Sequence, residues 1–297
     1  MFSLPKNVTL IEVGPRDGLQ NEKNSIPTDS KLAYIHALQE AGIQEMELTS
    51  FVSPKWIPQM ADAKEIVGQA KKVGRQIVLT PNEKGVSTAL HAGAQNMAVF
   101  VGVSNTFNKK NINRTTEEAV NALFPVVRQL KEKKHFVRAC ISTAFHCPYE
   151  GWIKPEQTIA LCQQFIDMGA DELSVADTDG MANPAASFSL FNSLKEHFPH
   201  TLVTAHFHDT RKLGLTNIYA SLQAGVDRFD TSAGGLGGCP FAPGATGNVA
   251  TEDVLYLLNT LDIHTGVDLQ KVILAVDEVA PYLSRPITTA MYQLSKQ

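Results

Sequence analysis

Eight short apolar runs rich in β-branched residues, at 8–13, 45–48, 76–80, 97–101, 137–142, 173–175, 202–205 and 226–229, punctuate this chain. Segments with helical spacing fill the intervals, at 30–41, 61–73, 83–91, 115–132, 155–168, 184–197 and 216–224. Strict alternation of strand and helix in units of about 30 residues leaves few topologies. A doubly wound sheet would show fewer strands and a Gly-x-Gly-x-x-Gly after the first, so the pattern predicts an α/β fold of the (β/α)8 TIM-barrel type. Helix signals agree: Thr115 with Glu118 forms a capping box, Pro155 and Pro184 open helices, and Gly42 and Gly169 follow helix ends. A Gly-rich stretch follows the eighth run, and further helical sequence at 251–261 and 269–282 reads as closing helices behind a C-terminal lid loop. With 297 residues, 43% of them apolar, the whole of 1–297 is expected to be one barrel domain around a full core.

A net charge of −4 gives no basic excess for nucleic acid or an anionic membrane, and neither partner is expected. No stretch reaches the 18 or so apolar residues of a membrane span, and the N-terminal residues carry no export or transit pattern. The four cysteines, Cys140, Cys147, Cys162 and Cys239, make no Cys-x-x-Cys pair, so a reduced, cytoplasmic setting is expected.

In such a barrel the chemistry gathers at the carboxyl ends of the strands. His206 and His208 stand two apart at the end of a strand and so face the same way, a geometry for two metal ligands or for hydrogen-bonded structural histidines. Asp17 after the first strand and Asn248 after the eighth add oxygen donors, a mixed shell suited to Mg²⁺ or Mn²⁺, with zinc also compatible. Arg16 either stabilises negative charge developing on a substrate, as in enolate chemistry, or pairs with Glu47 or Asp17 to close the mouth. Glu47, facing the same way as Glu45, has a direct role or serves as that partner. Cys239 lies among five glycines of the segment 234–244, a composition suited to a mobile lid, so its thiol is a candidate proton donor or base. The other three cysteines are assigned to core packing. The basic stretch 109–114 is read as a rim loop, solvated or facing an anionic substrate tail.

The segments Val13-Gly14-Pro15-Arg16-Asp17-Gly18-Leu19-Gln20-Asn21-Glu22-Lys23, Thr49 to Met60, and Gly235-Leu236-Gly237-Gly238-Cys239-Pro240 resemble the 3-hydroxy-3-methylglutaryl-CoA lyase family. Pro148 to Gly151, Gly247 to Asp253 and His264 to Val267 extend the resemblance over nearly the whole chain. It implies a TIM barrel that cleaves a 3-hydroxy-3-methylglutaryl thioester to acetyl-CoA and acetoacetate, with leucine degradation and ketone-body formation as the setting and a homodimer as the assembly. By the same resemblance, Asp17, His206, His208 and Asn248 hold the divalent cation, and His206 with Asp17 takes the substrate's hydroxyl proton. Arg16 stabilises the enolate, Cys239 protonates it, Glu47 and Asp177 orient these groups, and Gln20 and Lys23 join Arg16 and Glu47 in substrate binding.

This chain departs from the family pattern in several places. Arg211-Lys212 stands where Tyr-Gly is usual, Asp179 replaces an isoleucine, Cys140 follows Arg138-Ala139 where Arg-Gly-Tyr is usual, and His146 replaces a glycine. Asp179 and Arg211 are expected to compensate each other. The alternatives to the main reading are a lyase for a longer 3-hydroxy-3-alkylglutaryl thioester and an acyl-CoA-binding barrel with weakened turnover.

Overall fold

The computed structural model describes residues 4–238 and 247–297. Eight parallel strands, β1 (Thr9–Glu12), β2 (Glu45–Ser50), β3 (Arg75–Leu79), β4 (Asn96–Gly102), β5 (Phe136–Ser142), β6 (Glu172–Asp177), β7 (Leu202–Phe207) and β8 (Arg228–Thr231), close into a barrel in chain order. Around them lie α1 (Thr28–Glu40), α2 (Ala63–Gln69), α3 (Glu83–His91), α4 (Asn105–Ile112), α5 (Thr116–Glu132), α6 (Pro155–Met168), α7 (Pro184–His197) and α8 (Gly214–Gln223). The chain ends in α9 (Thr251–Thr260), α10 (Leu269–Val276) and α11 (Ala290–Ser295); α10 packs on α1 and α9, and α11 on α9. Among the described residues no helix is long and apolar enough to cross a membrane.

The helices form where the sequence signals place them. Thr115 and Glu118 make the reciprocal capping box of α5, whose buried Ala119, Val120, Leu123, Val126, Val127 and Leu130 recur at helical spacing against the sheet. Strand residues alternate between two environments. Val78, Met97, Val99 and Val101 join the main core beneath the helices, whereas Ile77, Leu79 and Ala98 form a separate cluster with Phe100, Phe136 and Cys140 inside the barrel.

Several boundaries differ from the pattern. The basic stretch 109–114 begins inside α4, a helix with no apolar stripe to announce it, capped by Ser104 accepting from Phe107 N at 3.0 Å. The second helix is shorter than 61–73, and 269–282 divides into α10 and a 3-10 turn at Ala280–Tyr282. Strand eight runs two residues later than 226–229, because its interior carries Arg228 and Asp230 where an apolar pattern is sought. That register pairs Asp230 with Ile11 of β1 and with His206 of β7, which puts a carboxylate beside the catalytic end of the barrel.

The rest of the lumen is charged. At its floor Arg228 reaches Glu45 at 2.5 Å and Glu172 at 3.3 Å, and Arg75 reaches Glu45 at 2.9 Å. Above them the fully buried Arg138 bonds Asp230 and lies 3.7 Å from Glu47, contacts between non-adjacent strands that only the lumen allows. Opposite charges offset one another here, although Arg138 Nε and Nη1 make no hydrogen bond.

Candidate metal centre and active site

The chain leaves β1 through a single π-helical turn, Gly14–Gly18, in which the Val13 carbonyl accepts from Asp17 N at 2.7 Å and Gly18 N at 3.1 Å. A side chain at Gly14 would collide with the Tyr34 hydroxyl and the Glu12 carboxylate, so the tight turn requires glycine there. The turn aims Arg16 and Asp17 at the barrel mouth. Across the mouth, His206 is the last but one residue of β7 and His208 follows the strand, their ring centroids 5.2 Å apart. An isolated bridge between His208 and Asn248 brings the segment after β8 alongside.

Ligand atoms of Asp17, His206 and His208 all lie within 4.8 Å of one another. Asp17 Oδ2 is 4.0 Å from His208 Nε2 and accepts from Asn248 Nδ2 at 2.8 Å. The Asn248 Oδ1 atom is buried with no hydrogen-bond partner, an acceptor beside three ligand atoms. One carboxylate, two imidazoles and an amide oxygen fit a divalent cation of the Mg²⁺ or Mn²⁺ kind. Protonation favours the same use. Burial and then the neighbouring His206 depress His208 to about 4, leaving the neutral ring that ligates metal. Burial works against ionisation of Asp17, but Arg16 and the two histidines outweigh it and hold its pKa below the usual carboxylate value. For His206, burial lowers the pKa, whereas the hydrogen bond and charge of Asp230 outweigh it and raise it.

Arg16 is held on both sides, and both ion pairs weighed from the sequence are present. Its Nε donates to Glu47 Oε2 at 2.6 Å and its Nη1 to Asp17 Oδ1 at 2.5 Å. Glu47 is fully buried, with Cys140 Sγ 4.0 Å from its Oε1. Cys140 packs against the lumen cluster, as its assignment to core packing had it, and its sulfur also faces Glu47; burial and the charge of Glu47 push its thiol up, beyond reach as a thiolate. Asp177 ends β6, and its carboxylate accepts from Met181 N at 3.0 Å and Ala182 N at 3.1 Å, which shapes the loop before α7. Burial, reinforced by Asp179, raises its pKa to about 7.

Gln20 is half-buried just past the Gly14–Gly18 turn, with its Oε1 unpartnered, and Lys23 is exposed farther along. Cys239 lies outside the described residues. The stem leading to it is tied down: Asn21 Nδ2 donates to Gly238 O at 2.8 Å, and Arg285 Nη2 to Gly237 O at 2.6 Å. Gly237 has φ of +115°, and a Cβ there would meet Asn248 Nδ2, so glycine lets the stem pass close to the proposed ligands.

Sequence reasoning missed Arg138, Ser174 and Asp230. Asp230 accepts from Ser174 Oγ at 2.8 Å and pairs with His206 Nδ1 at 3.0 Å, while its other oxygen takes the Arg138 guanidinium. The available signal was an acid directly behind the run 226–229. The expected compensation between Asp179 and Arg211 takes a different form. Arg211 Nη1 donates to the backbone carbonyls of Asp179 at 2.8 Å and Gly180 at 3.2 Å, and the Asp179 carboxylate instead bonds His146 Nδ1 at 2.6 Å. His146 sits in a two-residue hairpin, His146–Cys147 against Gly151–Trp152, and packs edge-on to Trp152. Three departures thus form one contact set joining the loops after β5, β6 and β7. Lys212 points away, pairing with Asp209 at 3.0 Å on the surface.

A protein-family model described as HMGL-like matches residues 7–279. A 3-hydroxy-3-isohexenylglutaryl-CoA/hydroxy-methylglutaryl-CoA lyase of Pseudomonas aeruginosa is 43% identical over 286 residues, 96% of this chain and 95% of the relative. The crystal structure of a Bacillus subtilis HMG-CoA lyase is similar with a TM-score of 0.95 at 42% identity, covering 99% of each chain. An HMG-CoA lyase from Acinetobacter baumannii in complex with coenzyme A and 3-methylmalate is similar at TM-score 0.92 and 35% identity, covering 100% of this chain and 96% of that one.

Proposed function

The chain belongs to the HMGL-like family, and from that premise we infer that it is a divalent-metal-dependent carbon–carbon lyase cleaving 3-hydroxy-3-methylglutaryl-CoA to acetyl-CoA and acetoacetate. The observation that carries this reading is the convergence of Asp17, His206 and His208, with the unpartnered Asn248 oxygen, beside the Arg16–Glu47 pair. Residues 1–297 act as a single catalytic domain.

A divalent cation held by Asp17, His206, His208 and Asn248 would polarise the substrate's hydroxyl and carboxylate oxygens and ease loss of the hydroxyl proton. Asp17 would take that proton, with His206 holding the cation through Nε2. As it leaves the C3 hydroxyl, its electron pair forms the ketone carbonyl while the C2–C3 bond breaks. The ketone fragment is acetoacetate, and the thioester fragment departs as an enolate. Arg16 meets that enolate oxygen. Nε and Nη2 stay with Glu47, and the Nη1 donors, one of which pairs with Asp17, are those left for the developing charge. Glu47, rigid and fully buried, fixes the plane of the guanidinium. Cys239 supplies the proton that converts the enolate carbon to acetyl-CoA. Gln20, just past that turn, and the exposed Lys23 farther along would contact the acyl-CoA.

Mg²⁺ or Mn²⁺ is the cation, the setting is cytoplasmic leucine degradation with ketone-body product, and the assembly is a homodimer. Product analysis tests the reading: incubation with 3-hydroxy-3-methylglutaryl-CoA should yield acetyl-CoA and acetoacetate in equal amounts, with turnover collapsing in Cys239→Ala. Intact substrate after incubation of metal-loaded protein would refute it. Running 3-hydroxy-3-isohexenylglutaryl-CoA in parallel, the substrate in the name of the Pseudomonas relative, identifies a longer-chain lyase.

A further inference from the structure

We propose that Asp230 is the positioning residue that fixes the ring of His206, holding its Nδ1 as the protonated nitrogen so that Nε2 alone faces the cation site. The inference rests on the reading of His206 as a ligand. An imidazole offers its nitrogens on opposite sides, and the partner of one decides the state of the other. Asp230 Oδ2 lies 3.0 Å from His206 Nδ1 and also accepts the Ser174 hydroxyl at 2.8 Å. Both oxygens of an ionised carboxylate are acceptors only, so Nδ1 must be the donor.

Asp230 is itself prevented from turning. Its Oδ1 takes Nη2 of Arg138, a guanidinium fully buried in the barrel whose Nε and Nη1 make no hydrogen bond. The nearest other acids lie 3.7 Å away at Glu47 and 3.9 Å away at Glu172, so Asp230 is the principal partner of that charge. Strand pairing sets the level as well, since Asp230 stands opposite His206 in the β8–β7 register. A chain of fixed polarity results, from guanidinium to carboxylate to imidazole to the site.

This polarity makes an unusual demand on Asp230→Asn. The guanidinium only donates, so the amide must keep its oxygen toward Arg138 and turn its NH2 to His206. That NH2 donates to Nδ1, forces the proton onto Nε2 and blocks the ligand atom. Asp230→Ala, in contrast, leaves the ring free to adopt either tautomer while stripping Arg138 of its partner. Function and stability should therefore rank the two variants in opposite orders.

Two measurements on the full-length protein test this. Mn²⁺ affinity, read from the electron paramagnetic resonance signal of free ion, should weaken by about 10–100-fold in Asp230→Asn and less in Asp230→Ala. Thermal unfolding should show Asp230→Ala as the less stable of the two. In Mg²⁺-loaded, [¹⁵N]histidine-labelled wild type, His206 should carry its proton on Nδ1, assigned with His206→Asn. Wild-type Mn²⁺ affinity in Asp230→Asn, or an Nε2 proton in the loaded wild type, would overturn the proposal; so would a wild type that binds no Mn²⁺. Metal affinity is independent of which thioester is cleaved, so failure of the lyase reading alone leaves these results standing.

Discussion

At the scale of single residues, Arg16 is the most exacting part of the site. Its fork holds Glu47 through Nε and Nη2 while Nη1 is shared with Asp17, a geometry an ammonium cannot reproduce. Arg16→Lys keeps the charge and loses the fork. Steady-state kinetics should show kcat reduced by roughly 10²–10³-fold, the range for loss of one aimed donor to a developing oxyanion, with Mn²⁺ affinity little changed. A lysine variant within threefold of wild-type kcat would place the enolate elsewhere. The proposed ligands and Arg16 were singled out because each follows an apolar run closely enough to mark a strand end. Arg138, Ser174 and Asp230 were not, since they lie within strands and meet only across the closed lumen, which a linear pattern does not show. For Cys140 the packing role was legible, but only closure shows that its sulfur also looks onto Glu47.

At the scale of elements, Glu12 ties three segments that carry the site. From the end of β1 its carboxylate accepts from Gly14 N at 2.7 Å, Ala233 N at 3.0 Å and Thr251 Oγ1 at 2.7 Å, joining the turn that bears Arg16 and Asp17 to the segment after β8 and to α9. Burial raises its pKa from the ordinary 4.5 to about 8, against the pull of those hydrogen bonds, and burial likewise raises Glu252 to about 7. Between about pH 4.5 and 8 the folded chain keeps a proton on Glu12 that the unfolded chain has released. The resulting stability is full below that window, falls as pH rises through it and changes no further above it. Glu12→Gln, neutral throughout, should flatten the fall by roughly 1.4 kcal/mol per pH unit, measured by denaturant unfolding across the window. Parallel profiles for variant and wild type would show that Glu12 is ionised in the fold.

The loops after β5, β6 and β7 give a second expectation at this scale. Arg211 binds backbone carbonyls, so exchanging the charges of Asp179 and Arg211 should not restore what either single reversal loses. A double-mutant cycle on thermal stability should find coupling of about 0.5–3 kcal/mol between His146 and Asp179, and little between the Asp179 and Arg211 side chains. The reverse ranking would contradict the assignment. Sequence distance hid this set, because His146 and Asp179 stand 33 positions apart and only the hairpin after β5 folds the first back over the second.

At the scale of the whole molecule, a barrel with a charged lumen supports its own mouth. Ion pairs run from the floor at Arg75, Glu45, Arg228 and Glu172, through Arg138 and Asp230, to His206 and the candidate cation site. The alternation of apolar runs and helices was enough to read the architecture, since closure needs only eight strands of the right spacing. The trimmed ends of β8 and α2, and α4, escaped because charged interior residues and weakly amphipathic helices carry little periodicity. The central claim is that Asp17, His206, His208 and Asn248 hold the cation that supports cleavage. The most direct test is acetoacetate release from 3-hydroxy-3-methylglutaryl-CoA by chelator-treated protein as Mn²⁺ is added back, with Asp17→Asn alongside. Turnover restored by Mn²⁺ in the wild type and absent at every concentration in the variant is the predicted result; turnover that survives chelation, or an Asp17→Asn enzyme with wild-type activity, would contradict it.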